Sequence, residues 1–349
     1  MQDSVRTLGA FMFNGKSILI TGGTGSFGKR MVKTLVERYK PSKLIVFSRD
    51  ELKQFEMAQK FSTAQYPFLR YYIGDVRDQE RLYEAFRGID YVIHAAALKQ
   101  VPAAEYNPFE AIKTNVLGAQ NVIRAAINQG VKKVIALSTD KAASPVNLYG
   151  ATKLCSDKLF IAGQSMTGGE GPRFAVVRYG NVVASRGSVI PFFLQKKKEG
   201  LLPITDERMT RFSITLDEGV GFVLKCFEMM QGGELFIPKI PSYKITDVAK
   251  AVAPEAKVNV VGIRHGEKLH EVMVPEDEAR VTLEFKDHFL IQPSLGWWEK
   301  HRPRDFKGPE PKQCPDGFSY NSLNNTQWLS IDDIRKVVAE LDTEAASES

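Results

Sequence analysis

Tyr149 and Lys153 stand four residues apart in the stretch L-S-T-D-K-A-A-S-P-V-N-L-Y-G-A-T-K, which runs from Leu137 to Lys153. Ser144-Pro145-Val146-Asn147 supplies a turn and a helix start, so the spacing places both side chains on one helical face. A nearby ammonium favours the phenolate form of a tyrosine, which then takes a proton from a hydroxyl near neutral pH. An ordinary phenol, of pKa roughly 10, does so poorly. Upstream, Lys133 to Ser138 reads as a buried strand, and Ser138, Thr139, Asp140 and Lys141 fall where it ends. In a doubly wound sheet that end is where ligands bind. Taken alone, Y-x-x-x-K also fits a surface helix pair, and only its context gives it chemical meaning.

That context begins at Lys16 to Thr21, a short apolar strand running into Gly22-Gly23-Thr24-Gly25-Ser26-Phe27-Gly28 and a helix with Met31, Val32, Leu35 and Val36 as its apolar stripe. The glycines are spaced G-x-x-G-x-x-G. Gly22 permits a tight turn, Gly25 lets backbone amides approach a pyrophosphate at the helix N-terminus, and Gly28 lets helix and strand pack closely. A second strand, Lys43 to Phe47, ends in Ser48-Arg49-Asp50, with Lys53 one turn later. An acidic residue here suits the ribose hydroxyls of NAD and an arginine the 2′-phosphate of NADP; Ser48, Arg49 and Lys53 favour NADP, with Asp50 as the contrary signal.

The third strand, Phe68 to Ile73, closes in Gly74-Asp75-Val76, where Asp75 can accept from an adenine amino group or cap a helix. Asp90 to His94 makes a fourth strand ending in Ala95-Ala96-Ala97, small enough for a flat ligand to pass, and Lys99 points a cation towards the nicotinamide end. A long helix from Pro108 to about Asn128 carries Asn115, suited to holding backbone geometry or a water beside the tyrosine. Arg173 to Tyr179 is the sixth strand. This alternation predicts an α/β fold, a doubly wound parallel (Rossmann) sheet with a smaller C-terminal α/β substrate-binding lid. The expected division is a flexible tail over 1–12, an NADP-binding domain over 13–180 to which parts of the later chain return, and a substrate-binding domain over 181–349. In the latter, Asn181, Arg211, Arg264 and Lys268 are the groups suited to a nucleoside diphosphate sugar, since arginine forks match phosphate oxygens. Trp297 and Trp298 are read as packing residues rather than base-stacking ones.

The 349 residues are 43% hydrophobic and 25% charged, enough for a full core. The net charge of +6 is spread out, without the aromatic and basic interleaving of nucleic-acid modules, so a phosphorylated small ligand explains it and no nucleic acid is expected. Cys155, Cys226 and Cys314 lie far apart, as in a reducing cytoplasm, and the five histidines show no metal-ligand spacing, so no metal is expected. No apolar run reaches the roughly 18 residues that span a bilayer, which predicts a soluble cytoplasmic protein with no membrane partner.

With these residues in view, the chain resembles the extended short-chain dehydrogenase/reductase family, which combines G-x-x-G-x-x-G with Y-x-x-x-K. The S-T-D-K-A-A-S-P-V-N-L-Y-G-A-T-K segment, R-Y-G-N-V from Arg178 and G-I-R-H-G-E-K-L-H-E from Gly262 are similar to those of the inverting UDP-N-acetylglucosamine 4,6-dehydratases of pseudaminic acid biosynthesis. Retaining dehydratases generally carry Asp-Glu where this chain has Asp140-Lys141, and membrane-anchored relatives usually have methionine in place of Tyr149. His265 stands where close relatives commonly have proline. The resemblance implies a UDP-sugar substrate, NADP, and Tyr149 with Lys153 taking the C4 hydroxyl proton. It also implies that Asp140 and Lys141 act as acid and base at C6 and C5, Lys141 being the favoured C5 base, although such a pair titrates together. A homo-oligomer, a dimer or a hexamer built as a trimer of dimers, is implied as well. Two other readings stay open: a sugar-nucleotide 4-epimerase, which needs no acid and base pair at C5 and C6, and a non-catalytic NADP sensor, which needs no Tyr149.

Overall fold

The computed structural model describes residues 12–167, 170–183, 189–293 and 310–348. Almost all of the expected N-terminal tail, together with Trp297 and Trp298, lies outside the described residues. Six parallel strands form where the apolar runs place them: β1 (Ser17–Thr21), β2 (Lys43–Ser48), β3 (Leu69–Ile73), β4 (Tyr91–His94), β5 (Lys133–Thr139) and β6 (Arg173–Tyr179). The central strands are buried almost end to end, so they read as continuous aliphatic runs rather than alternating ones.

The sheet order is β3-β2-β1-β4-β5-β6, continued by the parallel strand Glu234–Pro238 and then by antiparallel strands His288–Ile291, Thr282–Glu284 and Lys312–Gln313. The order reverses between β1 and β4, which opens a crevice at their carboxyl ends. Two glycines shape its floor. Gly22 has φ of +66°, and a Cβ on it would lie 2.8 Å from the Ala96 nitrogen. On Gly28 a Cβ would overlap the Gly23 backbone.

Past β6 the chain leaves the main sheet. Asn181–Val182 pairs with Thr210–Ile214, which pairs with Ser242–Lys244. The departure needs Gly180, because a Cβ there would overlap the Phe212 side chain. A second core, with Ile190, Phe193, Leu202, Ile204, Tyr243 and Ile334 among its members, forms away from the core of the main sheet.

The expected helix from Pro108 to Asn128 is three pieces: Pro108–Ile112, a π turn at Lys113–Leu117, and Gly118–Asn128. The wide turn contains Asn115, whose buried side chain is fully engaged across the crevice. No helix among the described residues is long and apolar enough to cross a membrane.

Candidate active site

Thr139 ends β5 and starts a 3₁₀ turn over Asp140–Ala142, its hydroxyl accepting from Lys141 N at 3.3 Å and donating to Asp140 Oδ1 at 2.9 Å. Ser144 then takes a left-handed φ of 46°. Asn147 caps the helix Leu148–Gly163: its Oδ1 accepts from Gly150 N at 2.8 Å while its Nδ2 donates to the Gly266 carbonyl, also at 2.8 Å. One side chain thereby ties the start of the Tyr149 helix to a loop far along the chain. Tyr149 and Lys153 are both buried on this helix.

Their electrostatics differ from the expectation. Lys153 Nζ donates to the Leu137 carbonyl at 2.8 Å, and burial pushes its amine down while Asp157 pulls it up. Burial pushes the Tyr149 phenol up to about 12; the Lys141 charge and a hydrogen bond with Thr139 oppose this, and Asp140 and Asp157 add to it. The cation that favours the phenolate is thus Lys141, because Lys153 is turned to a carbonyl and desolvation outweighs both.

Lys141 Nζ lies 3.0 Å from Asp140 Oδ1, 3.1 Å from Asn181 Oδ1 and 3.5 Å from Glu271 Oε1. Burial pulls its amine down, but the Asp140 and Glu271 carboxylates prevail and raise it, so Lys141 rests as an ammonium ion. Arg211 Nε is 3.8 Å from Glu271 Oε1, and its Nη1 donates to the Thr210 and Leu269 carbonyls at 2.8 and 3.0 Å. Lys268 Nζ donates to the Ala143 carbonyl at 2.5 Å. Partial desolvation and then the Lys141 charge push the Lys99 amine down, which puts Lys99 at the same cleft. Arg264 stands apart, 67% exposed, with Glu267 its ion-pair partner at 3.9 Å.

Along the crevice, the helix Ser26–Arg38 begins at Gly25 with no side-chain cap, which leaves its first amides free for an anion. That start, beside the close approach of Gly22 to Ala95 and Ala96, fits a dinucleotide pyrophosphate. Thr24 and Ser48 hydroxyls bond at 2.8 Å. Asp50 caps its own helix, accepting from Lys53 N at 3.0 Å and pairing with the Lys53 ammonium, so its carboxylate is engaged by its own helix. Arg49 is half-exposed and 3.4 Å from Asp75. Asp75 is no helix cap: it accepts from Arg77 N, Nε and Nη2, and Asp78 caps the helix that follows. Val76 is buried against Gly118, and Phe27 stacks on Tyr179 at 6.4 Å. Asn115 accepts from Leu98 N at 2.8 Å and donates to the Leu98 carbonyl and to Thr152 Oγ1, holding the loop behind Ala95 and the Tyr149 helix together.

Sequence reasoning passed over four participants. Glu271 ends the G-I-R-H-G-E-K-L-H-E segment, and Tyr243 hydrogen-bonds Asn181. Asp157, one helical turn beyond Lys153, accepts from Ser138 at 2.7 Å and lies 3.4 Å from Arg178 Nη2, a side chain only 1% exposed. Spacing could have found Asp157; nothing local distinguishes Glu271.

An uncapped helix start that suits a pyrophosphate, on a sheet of this order, with a buried Y-x-x-x-K pair on the helix that follows β5, defines a dinucleotide-dependent enzyme of the doubly wound class. The chain belongs to the family described as "Polysaccharide biosynthesis protein", an extended short-chain dehydrogenase/reductase family, which matches residues 18–293. It is 58% identical to the UDP-N-acetylglucosamine 4,6-dehydratase (inverting) of Campylobacter jejuni subsp. jejuni serotype O:2, over 94% of this chain and 98% of that one. It is 40% identical to the UDP-glucose 4-epimerase of Rickettsia canadensis, over 95% and 97%. Among solved structures, Pen from Bacillus thuringiensis superposes with a TM-score of 0.85 at 36% identity, covering 95% of this chain and 99% of that one.

Proposed function

We propose that the chain is a UDP-N-acetylglucosamine 4,6-dehydratase that inverts C5. The observation that carries this reading is the Asp140-Lys141 pair set beside Tyr149, close enough for the Lys141 charge to act on the phenol. Oxidation at C4 alone has no use for such a pair; loss of water across C5 and C6 requires an acid and a base. The 58% identity to an inverting dehydratase supports it.

Bound NADP would supply reversible hydride transfer, out from C4 and back to C6, so the net reaction would be loss of water. Gly22, Thr24, Gly25, Ser26, Phe27 and Gly28 would hold its pyrophosphate, and Ser48, Arg49 and Lys53 its 2′-phosphate; the use of the Asp50 carboxylate as a helix cap supports NADP over NAD. Tyr149 would take the C4 hydroxyl proton as a phenolate, the form that the Lys141 charge favours against the burial that disfavours it. The C4 ketone acidifies the C5 hydrogen, and Asp140 and Lys141 exchange the C5 proton and the proton that leaves with the C6 hydroxyl. Because Lys141 starts as an ammonium ion, it serves as the C5 base only after passing that proton on, and Asp140 at 3.0 Å is its immediate acceptor. Arg211, Lys268, Lys99 and Asn181 converge on the cleft and would hold the diphosphate and sugar. The residues around the second core would form the substrate side, and those of the main sheet the cofactor side.

The product would be the L-arabino 4-keto-6-deoxy sugar nucleotide, suited to pseudaminic acid assembly. Exposed Tyr106, Phe109, Ile112 and Leu117 along residues 101–117 support a homo-oligomer, a dimer or a hexamer. The test is to incubate the purified protein with UDP-N-acetylglucosamine and weigh the product: a dehydratase gives a nucleotide sugar lighter by one water. Unchanged mass with inverted C4 would replace this reading with a 4-epimerase, the activity named for the 40% identical relative.

A further inference from the structure

We propose that Glu271 is the positioning residue of Lys141, the second carboxylate that keeps its amine protonated and aimed into the cleft between Asp140 and Asn181. Glu271 Oε1 lies 3.5 Å from Lys141 Nζ and 3.8 Å from Arg211 Nε, with the residue only 3% exposed. Its backbone is fixed first: Glu271 N donates to Ser322 Oγ at 2.9 Å, Ser322 N donates to the Glu271 carbonyl at 2.8 Å, and Ser322 Oγ bonds Thr210 Oγ1 at 2.7 Å. The carboxylate is therefore held on a rigid support. Glu271 Oε2 is buried with no hydrogen-bond partner, and Asp140 Oδ2 is likewise unpartnered. A carboxylate kept dry with lone pairs unused costs stability unless a charge nearby needs it.

The balance of charge around Lys141 explains the need. Asp140 reaches the amine from the same turn and Glu271 from a segment far along the chain. Against them stand the cations Arg211, Lys99 and Lys268, with the Tyr149 and Tyr243 phenols also facing the amine. Burial pulls the amine down most, Arg211 adds to it, and Glu271 is the second carboxylate that opposes them. Glu271 restores the balance and, by pairing with Arg211 as well, keeps that guanidinium from crowding Lys141. The consequence for turnover rests on the dehydratase reading; the effect on Lys141 itself does not.

Competitive acetic anhydride labelling of Lys141 in the full chain, followed across pH by mass spectrometry, reads its protonation without substrate. In Glu271→Gln the labelling midpoint should fall by about one pH unit or more, the usual effect of removing an opposite charge at this range. An unchanged midpoint overturns the proposal. Should the Gln variant not fold, Glu271→Asp withdraws the carboxylate while keeping its charge: a midpoint below that of the native chain supports the proposal, and an equal one overturns it. With UDP-N-acetylglucosamine, the alkaline limb of kcat should move down in parallel while KM changes less than kcat. A midpoint that shifts in Glu271→Gln, together with a native chain that leaves UDP-N-acetylglucosamine untouched, would sink the dehydratase reading and leave the role of Glu271 standing.

Discussion

Gly150 lies against the backbone carbonyl of Lys141, so closely that a Cβ on it would overlap that oxygen. The residue after the tyrosine therefore sets how near the helix Leu148–Gly163 comes to the Asp140–Ala142 turn, and so the separation of the phenol from the acid and base pair. Gly150→Ala should push the two apart at a cost of about 1–3 kcal/mol, the scale of overpacking in a close-packed region. Thermal denaturation should show the loss, and dehydration should fall further than the release of bound nucleotide does. A variant with native melting temperature and native turnover would mean that the turn yields freely.

Lys141→Ala should retain NADP, because the groups proposed for its pyrophosphate and 2′-phosphate follow β1 and β2, yet slow water loss by roughly 10²-fold or more. In deuterated water the native enzyme should place deuterium at C5, and couplings after ketone reduction should report inversion there. Retained configuration in the first-formed product would remove the inverting assignment, and full activity in the variant would leave Asp140 to act alone.

Arg49 is 3.4 Å from Asp75 and half-exposed, a cation already held at the proposed 2′-phosphate position. Denaturing the purified protein should release NADP. Arg49→Asp should shift the recovered nucleotide towards NAD; undiminished NADP affinity in that variant would show that Arg49 is not the phosphate partner.

Glu234, buried at the start of Glu234–Pro238, accepts from Gln231 N at 2.7 Å and Gly232 N at 2.8 Å, yet burial pushes its carboxyl up to about 7. The unfolded chain ionises this group near its ordinary value of 4.5 while the folded chain still holds the proton. Stability should therefore fall as pH rises from about 4.5 to about 7, by up to ~3 kcal/mol, and stay level above. Melting temperatures across this range should drop less steeply in Glu234→Gln, even though that variant is weaker at every pH for lack of a second acceptor. Parallel slopes would exclude Glu234 as the titrating group.

Tyr106 is 91% exposed and Phe109 73%, on neighbouring helices beside the Tyr149 helix. Sedimentation at micromolar concentration should find a dimer or larger assembly, and Tyr106→Asp with Phe109→Asp should dissociate it. A native chain that sediments only as a monomer would contradict the proposed oligomer.

The strands and the glycine turn of the main sheet were legible because their signals are local. A glycine triplet between an aliphatic run and an amphipathic helix specifies a turn, an unpartnered helix start and a close helix approach within a few residues, and the repeated strand and helix alternation leaves little choice of sheet. Asn147 as a cap and the Tyr149–Lys153 helix follow from the same short-range chemistry. The break at Lys113–Leu117 did not, since a π turn has no sequence period of its own and arises from what Asn115 bonds across the crevice. Nor did the protonation of the site. Four-residue spacing brought an ammonium near a phenol on paper, but Lys153 donates to Leu137 and Lys141 supplies the charge, because burial and carbonyl direction are properties of the packed state. Glu271 reached Lys141 only through the strand pairing that carries its segment past Thr210 and Ser322. Charge interactions depend on distance through space and on the water excluded around them, and neither quantity is written along a chain; only the tertiary structure sets them.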